Sequence, residues 1–107
     1  MIEVGGKANP DGAIAAWEFH NYNSGASALQ TPYHVPNARE QFLQAKSPLR
    51  QGSYRCLAAT GNNFARECYM DELAHSIGMD PLAFRLKNAS NDDRLCAVME
   101  AAAERFG

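Results

Sequence analysis

The stretch that decides the fold is ANPDGAIAAWEFHNY, residues 8–22. Its first part, Asn9 to Gly12, is a turn sequence, because proline presets φ, aspartate tolerates the turn and glycine accepts a positive φ. After the turn, apolar and polar side chains alternate with a period of two, with Trp17 and Phe19 on one face. Together with Ile2 and Val4 before the turn, this pattern predicts an antiparallel β-hairpin over residues 2–22. Another element must cover its aromatic face.

The second half of the sequence has helical spacing from about Asn62. Apolar positions three and four apart predict a first helix, at Met70, Leu73, Ala74 and Ile77. Asp80 and Pro81 are typical of an N-cap and a first helical position, and Asn88 is a natural end for that second helix. The run Ser90–Asp93 resembles a capping box, with acidic residues at the positive end of the next helix, and predicts the start of a third helix. Its apolar stripe comprises Leu95, Val98, Met99, Ala102 and Phe106.

The predicted fold class is therefore α+β, an N-terminal antiparallel hairpin or small sheet followed by two or three helices. Residues 38–44 are a candidate for a further strand. We divide the chain into a β-rich part (1–46), a connecting segment (47–59) and a helical part (60–107). With 107 residues, of which 46% are hydrophobic, the chain is one small domain at most and is not disordered. The formal net charge of −2 argues against a duplex-binding domain, so we expect no nucleic-acid partner.

The cysteines and histidines form no metal-binding pattern. Cys56, Cys68 and Cys96 are far apart and make no CxxC pair, and the three histidines fit no ligand spacing. We therefore expect no metal ligands, reduced thiols, and Cys68 packed among apolar neighbours. We interpret the polar side chains Glu67, Asp71, Glu72 and His75 as a solvated helix face. With no signal-peptide pattern and no long apolar run, we expect a cytoplasmic location without a membrane partner.

The connecting segment holds the residues with the clearest chemical potential. Arg50, Gly52, Ser53 and Arg55 precede a predicted helix N-terminus, where free backbone N–H groups and the helix dipole attract anions. The spacing matches neither the phosphate-binding P-loop nor the dinucleotide fingerprint. From the residues alone, an anion site and an ordinary polar loop are both open.

Several runs of the sequence together resemble one family. They are YHVPN (33–37), SPLRQGSYR (47–55), FARE (64–67), MDELA (70–74) and GMDPLAFRLKN (78–88). In this order and spacing they are similar to the molybdopterin-binding large subunit of the xanthine dehydrogenase and aldehyde oxidase superfamily. The resemblance is greatest to the isoquinoline 1-oxidoreductase β-subunit type. It covers nearly the whole chain and implies oxidative hydroxylation of an aldehyde or an N-heterocycle.

The resemblance also implies a set of site residues. The family's loop that passes close to the molybdenum and the pterin corresponds to Gly52, Ser53, Tyr54, Arg55, Cys56 and Leu57. Cys56 follows a Tyr-Arg pair, as in copper-containing relatives, but Leu57 and the alanines after it depart from that loop. We therefore expect no copper.

The features that are missing limit what the resemblance implies. The family's catalytic glutamate, its upstream glycine-rich motif and its iron–sulfur cysteines have no counterpart in this sequence. We therefore expect a single partial domain over residues 1–107, with no catalytic residue and with the molybdenum–pterin cofactor present only in a full assembly.

Two hypotheses for the role of the chain follow. In the first, the chain is one wall of the cofactor pocket of a molybdenum hydroxylase, and Trp17, Phe19 and the stripe through Phe106 require partners outside the chain. In the second, it is a non-catalytic protein that keeps the fold element and self-associates.

Overall fold

The computed structural model describes all residues, 1–107, and it has a small sheet followed by three helices. The strands are β1 (Ile2–Ala8), β2 (Ile14–Tyr22) and β3 (Ala38–Leu43). The helices are α1 (Ala59–Ser76), α2 (Pro81–Asn88) and α3 (Asp93–Phe106). The predicted α+β class is confirmed. None of the three helices is long and apolar enough to cross a bilayer.

The hairpin forms as its turn and alternation predict. β1 and β2 pair antiparallel, with Val4 opposite Phe19 and Gly6 opposite Trp17. The pairing register shifts between Lys7 and Ala8, beside the turn. The tip of the turn approaches the connection between α1 and α2 closely, because a Cβ on Gly12 would lie 2.5 Å from the sulfur of Met79. A larger residue would have to displace the Met79 side chain, and the φ of +90° at this position favours glycine.

The third strand completes a mixed sheet of order β1-β2-β3. β3 runs parallel to β2, with Trp17 beside Ala38 and Tyr22 beside Leu43. A parallel neighbour needs a crossover connection, and residues 23–37 supply one with no helix or strand of their own. This long connection carries part of the site described below.

The core lies between one face of the sheet and the helices. Trp17 and Phe19 are 1% and 0% exposed, and they pack with Met70, Leu73 and Phe84 from α1 and α2. The expectation that these two aromatic residues require partners outside the chain is wrong, because the helices of the same chain cover them.

Three further expectations need correction. α1 begins at Ala59, three residues before the predicted start. Cys68 is exposed rather than packed, because it lies on the face of α1 that points away from the sheet. In α3, Leu95 and Met99 pack against the core, whereas Val98 and Phe106 are 60% and 96% exposed.

Candidate functional site

Two segments that are distant in sequence enclose an open groove of about 360 Å³. We call them the inner loop (residues 24–27, in the crossover between β2 and β3) and the outer segment (residues 52–58, before α1). The lining residues are Ser24, Gly25, Ala26, Ser27, Gly52, Ser53, Tyr54, Leu57 and Ala58. The lining contains hydroxyl groups, small residues and two larger side chains. It contains no carboxylate, imidazole, thiol or ammonium group.

The structure places the six sequence-predicted cofactor residues in two groups. Gly52, Ser53, Tyr54 and Leu57 line the groove. Arg55 and Cys56 are exposed and lie outside the lining, and the Arg55 side chain has no hydrogen-bond partner within the chain. Arg50 is likewise exposed.

The backbone around the groove is strained. Every non-glycine residue with a positive φ lies in or beside the two segments: Asn23 (62°), Ala28 (56°), Cys56 (66°) and Leu57 (52°). Such a conformation costs roughly 1–2 kcal/mol per residue, because Cβ approaches the following carbonyl oxygen. Strain of this kind persists only where surrounding structure holds it, and it is concentrated at functional sites.

Unpaired backbone donors are the main polar feature of the groove. The N–H groups of Gly25, Ala26 and Ser27 have no partner within the chain, and neither do those of Gly52 and Ser53. The N-cap residue of α1 is Ala58, which has no oxygen on its side chain to accept from the first turn. Free N–H groups at a helix start, without a nearby carboxylate, favour an anionic or acceptor-rich ligand.

The inner loop is anchored by two polar side chains of α1 that the sequence analysis did not identify. The amide nitrogen of Asn62 donates to the carbonyls of Gly25 and Ser27 at 3.2 and 2.9 Å. One turn later, Arg66 donates to the carbonyl of Ala28 at 3.0 Å. The sequence could have identified Asn62 and Arg66 as buried, because residues 62, 66 and 70 are spaced by four and therefore share the buried face of α1.

Of the four polar side chains that we expected on a solvated face of α1, Glu72 and His75 are exposed, whereas Glu67 and Asp71 belong to a structural ion-pair network. Glu67 accepts from the Tyr33 hydroxyl and from Arg85 Nε, both at 2.9 Å, and Arg85 also pairs with Asp71 at 2.6 Å. Burial opposes the charge on Arg85, but its hydrogen bonds to Asp71 and Glu67 outweigh burial and raise its pKa. Burial, followed by the charge of Glu67, raises the pKa of Tyr33 well above its usual range. The network joins α1 to α2 and carries no sign of catalysis.

No group of three His, Cys, Asp or Glu side chains lies close enough together to hold a metal ion. Another depression, of about 380 Å³, lies between the hairpin turn and the end of α2, next to His34 and Lys87. It shares no residue with the groove.

Comparison with known proteins gives a consistent result. The sequence profile of the molybdopterin cofactor-binding domain matches residues 8–89. One subunit of the nicotinate dehydrogenase of Pseudomonas putida is 30% identical, over 98% of this chain and 11% of that protein. An aldehyde oxidoreductase of Megalodesulfovibrio gigas is 41% identical over 66 residues, which are 61% of this chain and 7% of that protein.

A solved structure agrees with the sequence matches. The aldehyde oxidoreductase from Desulfovibrio gigas superimposes with a TM-score of 0.56 at 30% identity, over 82% of this chain and 11% of that one. The chain thus spans about a tenth of the length of the relatives it matches. The family resemblance seen in the sequence is confirmed, and the chain belongs to the molybdopterin cofactor-binding domain family of the molybdenum hydroxylases.

Proposed function

We propose that this chain forms one wall of a molybdenum–pterin cofactor pocket in a hydroxylase that oxidises an aldehyde or an N-heterocycle. In this proposal the chain has no catalytic activity alone and binds the cofactor only together with the remaining parts of the enzyme. The names of two relatives, a nicotinate dehydrogenase subunit and an aldehyde oxidoreductase, correspond to these two substrate classes.

The observation that carries the proposal is the meeting of two distant segments in one groove with unpaired N–H groups on both sides. The outer segment contributes the N–H groups of Gly52 and Ser53, and the inner loop contributes those of residues 25–27. A pterin with a phosphate tail is rich in acceptor atoms, which suits this donor set. Small residues on both sides permit close approach of backbone to ligand.

Residues in the lining and beside it have different roles in this proposal. The Ser53 hydroxyl and the backbone donors orient the ligand, and Tyr54 and Leu57 supply apolar surface. Arg55, which has no side-chain partner in the chain, is available for a charge-assisted bond to a phosphate. When bound, a molybdenum–pterin group supplies the redox chemistry. The lining offers no general base within reach, so substrate deprotonation requires a residue from elsewhere.

The proposal is tested by capturing the tagged chain from its source cells and measuring molybdenum and co-purifying polypeptides in the same sample. We expect molybdenum together with larger polypeptides. The variant Ser53→Asp places a carboxylate among donors that favour an anionic ligand, and we expect it to lower the molybdenum per captured assembly about tenfold or more, an effect of about 1.4 kcal/mol.

Ser47→Asp is the matched control, because Ser47 lies in the same connection but outside the groove lining. It should leave the molybdenum content unchanged. A wild-type chain that is recovered without molybdenum, alone or only with copies of itself, contradicts the proposal.

A second candidate function is a stand-alone, non-catalytic protein that self-associates through an apolar surface. The exposed Val98 and Phe106 on α3 favour it, because large apolar side chains seldom stay in water without a partner. Sedimentation of the purified chain distinguishes the two. A dimer that dissociates in Phe106→Glu supports self-association, and a monomer excludes it.

For location we propose the cytoplasm. None of the three cysteines is paired in a disulfide, which suits a reducing compartment.

A further inference from the structure

We propose that Asn62 is a positioning residue, which holds the inner loop at the distance from the outer segment that the ligand of the groove requires. This inference rests on the proposed function, since it concerns the same groove. Asn62 lies outside the groove lining and acts only through the loop.

The contacts of Asn62 account for the shape of the inner loop. Asn62 is fully buried in the first turns of α1. Its Nδ2 donates to the Gly25 and Ser27 carbonyls, and its Oδ1 accepts from Nδ2 of Asn21, which is also fully buried. Asn21 Oδ1 in turn accepts from the N–H of Ser24 at 2.9 Å. Two amide side chains therefore hold the loop at Ser24, Gly25 and Ser27.

This arrangement also explains why the donors of the loop stay free. The carbonyls of Gly25 and Ser27 are directed toward α1, where they accept from Asn62. The N–H groups of residues 25–27 have no partner within the chain. Those N–H groups are the ones available to a ligand.

The position of Gly25 shows how closely the loop is held. A Cβ on Gly25 would lie 2.9 Å from the Cβ of Ala58, and its φ of +104° is unfavourable for other residues. The inner loop thus touches the start of α1, where the outer segment ends. The width of the groove depends on this contact.

An asparagine is specifically required at position 62. The side chain must donate two hydrogen bonds to the loop and accept one from Asn21. Aspartate has the same shape but no donor when ionised, and it places a charge against two carbonyl oxygens. Asn62→Asp therefore removes the contacts to the loop while it preserves the volume of the side chain.

The first part of the test measures loop order in the isolated full chain by ¹⁵N relaxation. We expect order parameters for residues 24–28 to fall from about 0.85, typical of a rigid backbone, to below about 0.6 in Asn62→Asp. Values for β1, β2 and α2 should not change. Asn91→Asp is the matched control, because Asn91 is exposed and makes no side-chain hydrogen bond. An ordered loop in Asn62→Asp overturns the inference.

The second part measures molybdenum in the captured assembly. Asn62→Asp should lower the molybdenum content about tenfold while the same polypeptides co-purify, which corresponds to about 1.4 kcal/mol. Equal molybdenum content in the wild type and in Asn62→Asp overturns the positioning role of Asn62 but leaves the proposed function intact. Absence of molybdenum from the wild type overturns the proposed function and this inference together.

A second variant covers the case in which Asn62→Asp does not fold. Gly25→Ala displaces the same loop through a close contact with Ala58 and leaves both buried asparagines in place. It should also disorder residues 24–28 and lower the molybdenum content. Full loop order together with full molybdenum content in Gly25→Ala is the result that would overturn the inference by this route.

Discussion

At the residue scale, four buried polar side chains hold the loops of the chain in place against the apolar core. They are Asn21, Asn62, Arg66 and Asn88. Each bonds to other parts of the chain that are far away in sequence, and most of the acceptors and donors are backbone groups of irregular segments. Backbone groups that are buried without partners are costly, so these side chains determine where the loops lie against the core.

Asn88 provides the strongest stability prediction. Its side chain accepts from the N–H of Ile14 at 2.9 Å and donates to the carbonyls of Gly12 and Phe84 at 2.8 and 2.9 Å. Asn88→Ala leaves buried backbone groups of the hairpin unpaired, and we expect the free energy of unfolding to fall by about 3 kcal/mol. Urea denaturation measures this. The exposed Asn91→Ala should change it by less than about 0.5 kcal/mol.

Tyr33 predicts a specific dependence of stability on pH. Its pKa is raised above the ordinary value of 10.0 in the folded chain, by burial and by the charge of Glu67. The unfolded chain therefore loses the phenol proton first, and stability that is fully present below about pH 10 declines as the pH rises further. The decline is up to about 1.4 kcal/mol per pH unit for this one proton.

Tyr33→Phe tests this directly in denaturation curves from about pH 9 to about pH 11.5. At the lower pH the variant should be less stable by about 1 kcal/mol, because the hydrogen bond to Glu67 is lost. The two stabilities should converge as the pH rises. Parallel curves would show that Tyr33 ionises alike in both states. Tyr54→Phe, which removes an exposed hydroxyl, is the control.

At the scale of elements, the three helix starts differ in how they are capped. Asp80 and Asp92 cap α2 and α3, each accepting from an N–H three residues later. α1 begins at the groove without a side-chain cap. The starts of α2 and α3 thus have ordinary side-chain caps, whereas in the first turn of α1 the N–H of Ala59 donates to the Cys56 carbonyl and those of Thr60 and Gly61 have no partner.

Removal of one cap gives a prediction for α2. In Asp80→Ala the N–H of Ala83 loses its partner at 2.8 Å, and we expect the free energy of unfolding to fall by about 1 kcal/mol. Asp93→Ala, in the first turn of α3, removes a charge but no capping bond and should cost only a few tenths of a kcal/mol. Equal losses in the two variants would contradict a capping role for Asp80.

The elements also show which features a single sequence can predict. The hairpin turn at Asn9–Gly12 and the Asp80-Pro81 start of α2 follow from local chemistry, and both were predicted. The parallel pairing of β3 with β2 was not predicted, because no residue within 38–44 indicates whether a neighbouring strand runs parallel or antiparallel. The inner loop was missed as a groove wall for a similar reason: its partner Asn62 is 37 residues away from Gly25. The two halves of the groove meet only through tertiary contacts.

On the scale of the whole molecule, the apolar surface is uneven. Trp17, Phe19 and Phe84 are fully covered, whereas Phe64, Val98 and Phe106 are mostly exposed. A chain of 107 residues has few residues with which to cover its helices. Both candidate functions, a pocket wall and a self-associating protein, place a partner on this surface.

The exposed face of α3 gives a prediction for the isolated chain. The double variant Val98→Asp and Phe106→Asp should bind less of a hydrophobic fluorescent dye, because it removes the two exposed large apolar side chains of that helix. Its free energy of unfolding should stay within about 0.5 kcal/mol of the wild type. Ala97→Asp, which adds a carboxylate away from the stripe, should leave dye binding unchanged. Undiminished dye binding in the double variant would show that the apolar surface that binds the dye lies outside this face of α3.

The reach of the Asn88 side chain has a consequence for the order in which the chain folds. Asn88 bonds to Ile14 and Gly12 across 74 and 76 positions. During synthesis the hairpin emerges first, yet its turn has no partner for these groups until most of the chain has followed. Contacts between residues this far apart in sequence form slowly, because the entropy of closing a long loop is lost before the contact stabilises the fold. The turn of the first hairpin is therefore secured only after α2 is complete, and a polypeptide that stops short of residue 88 leaves these two groups of the hairpin without their partner.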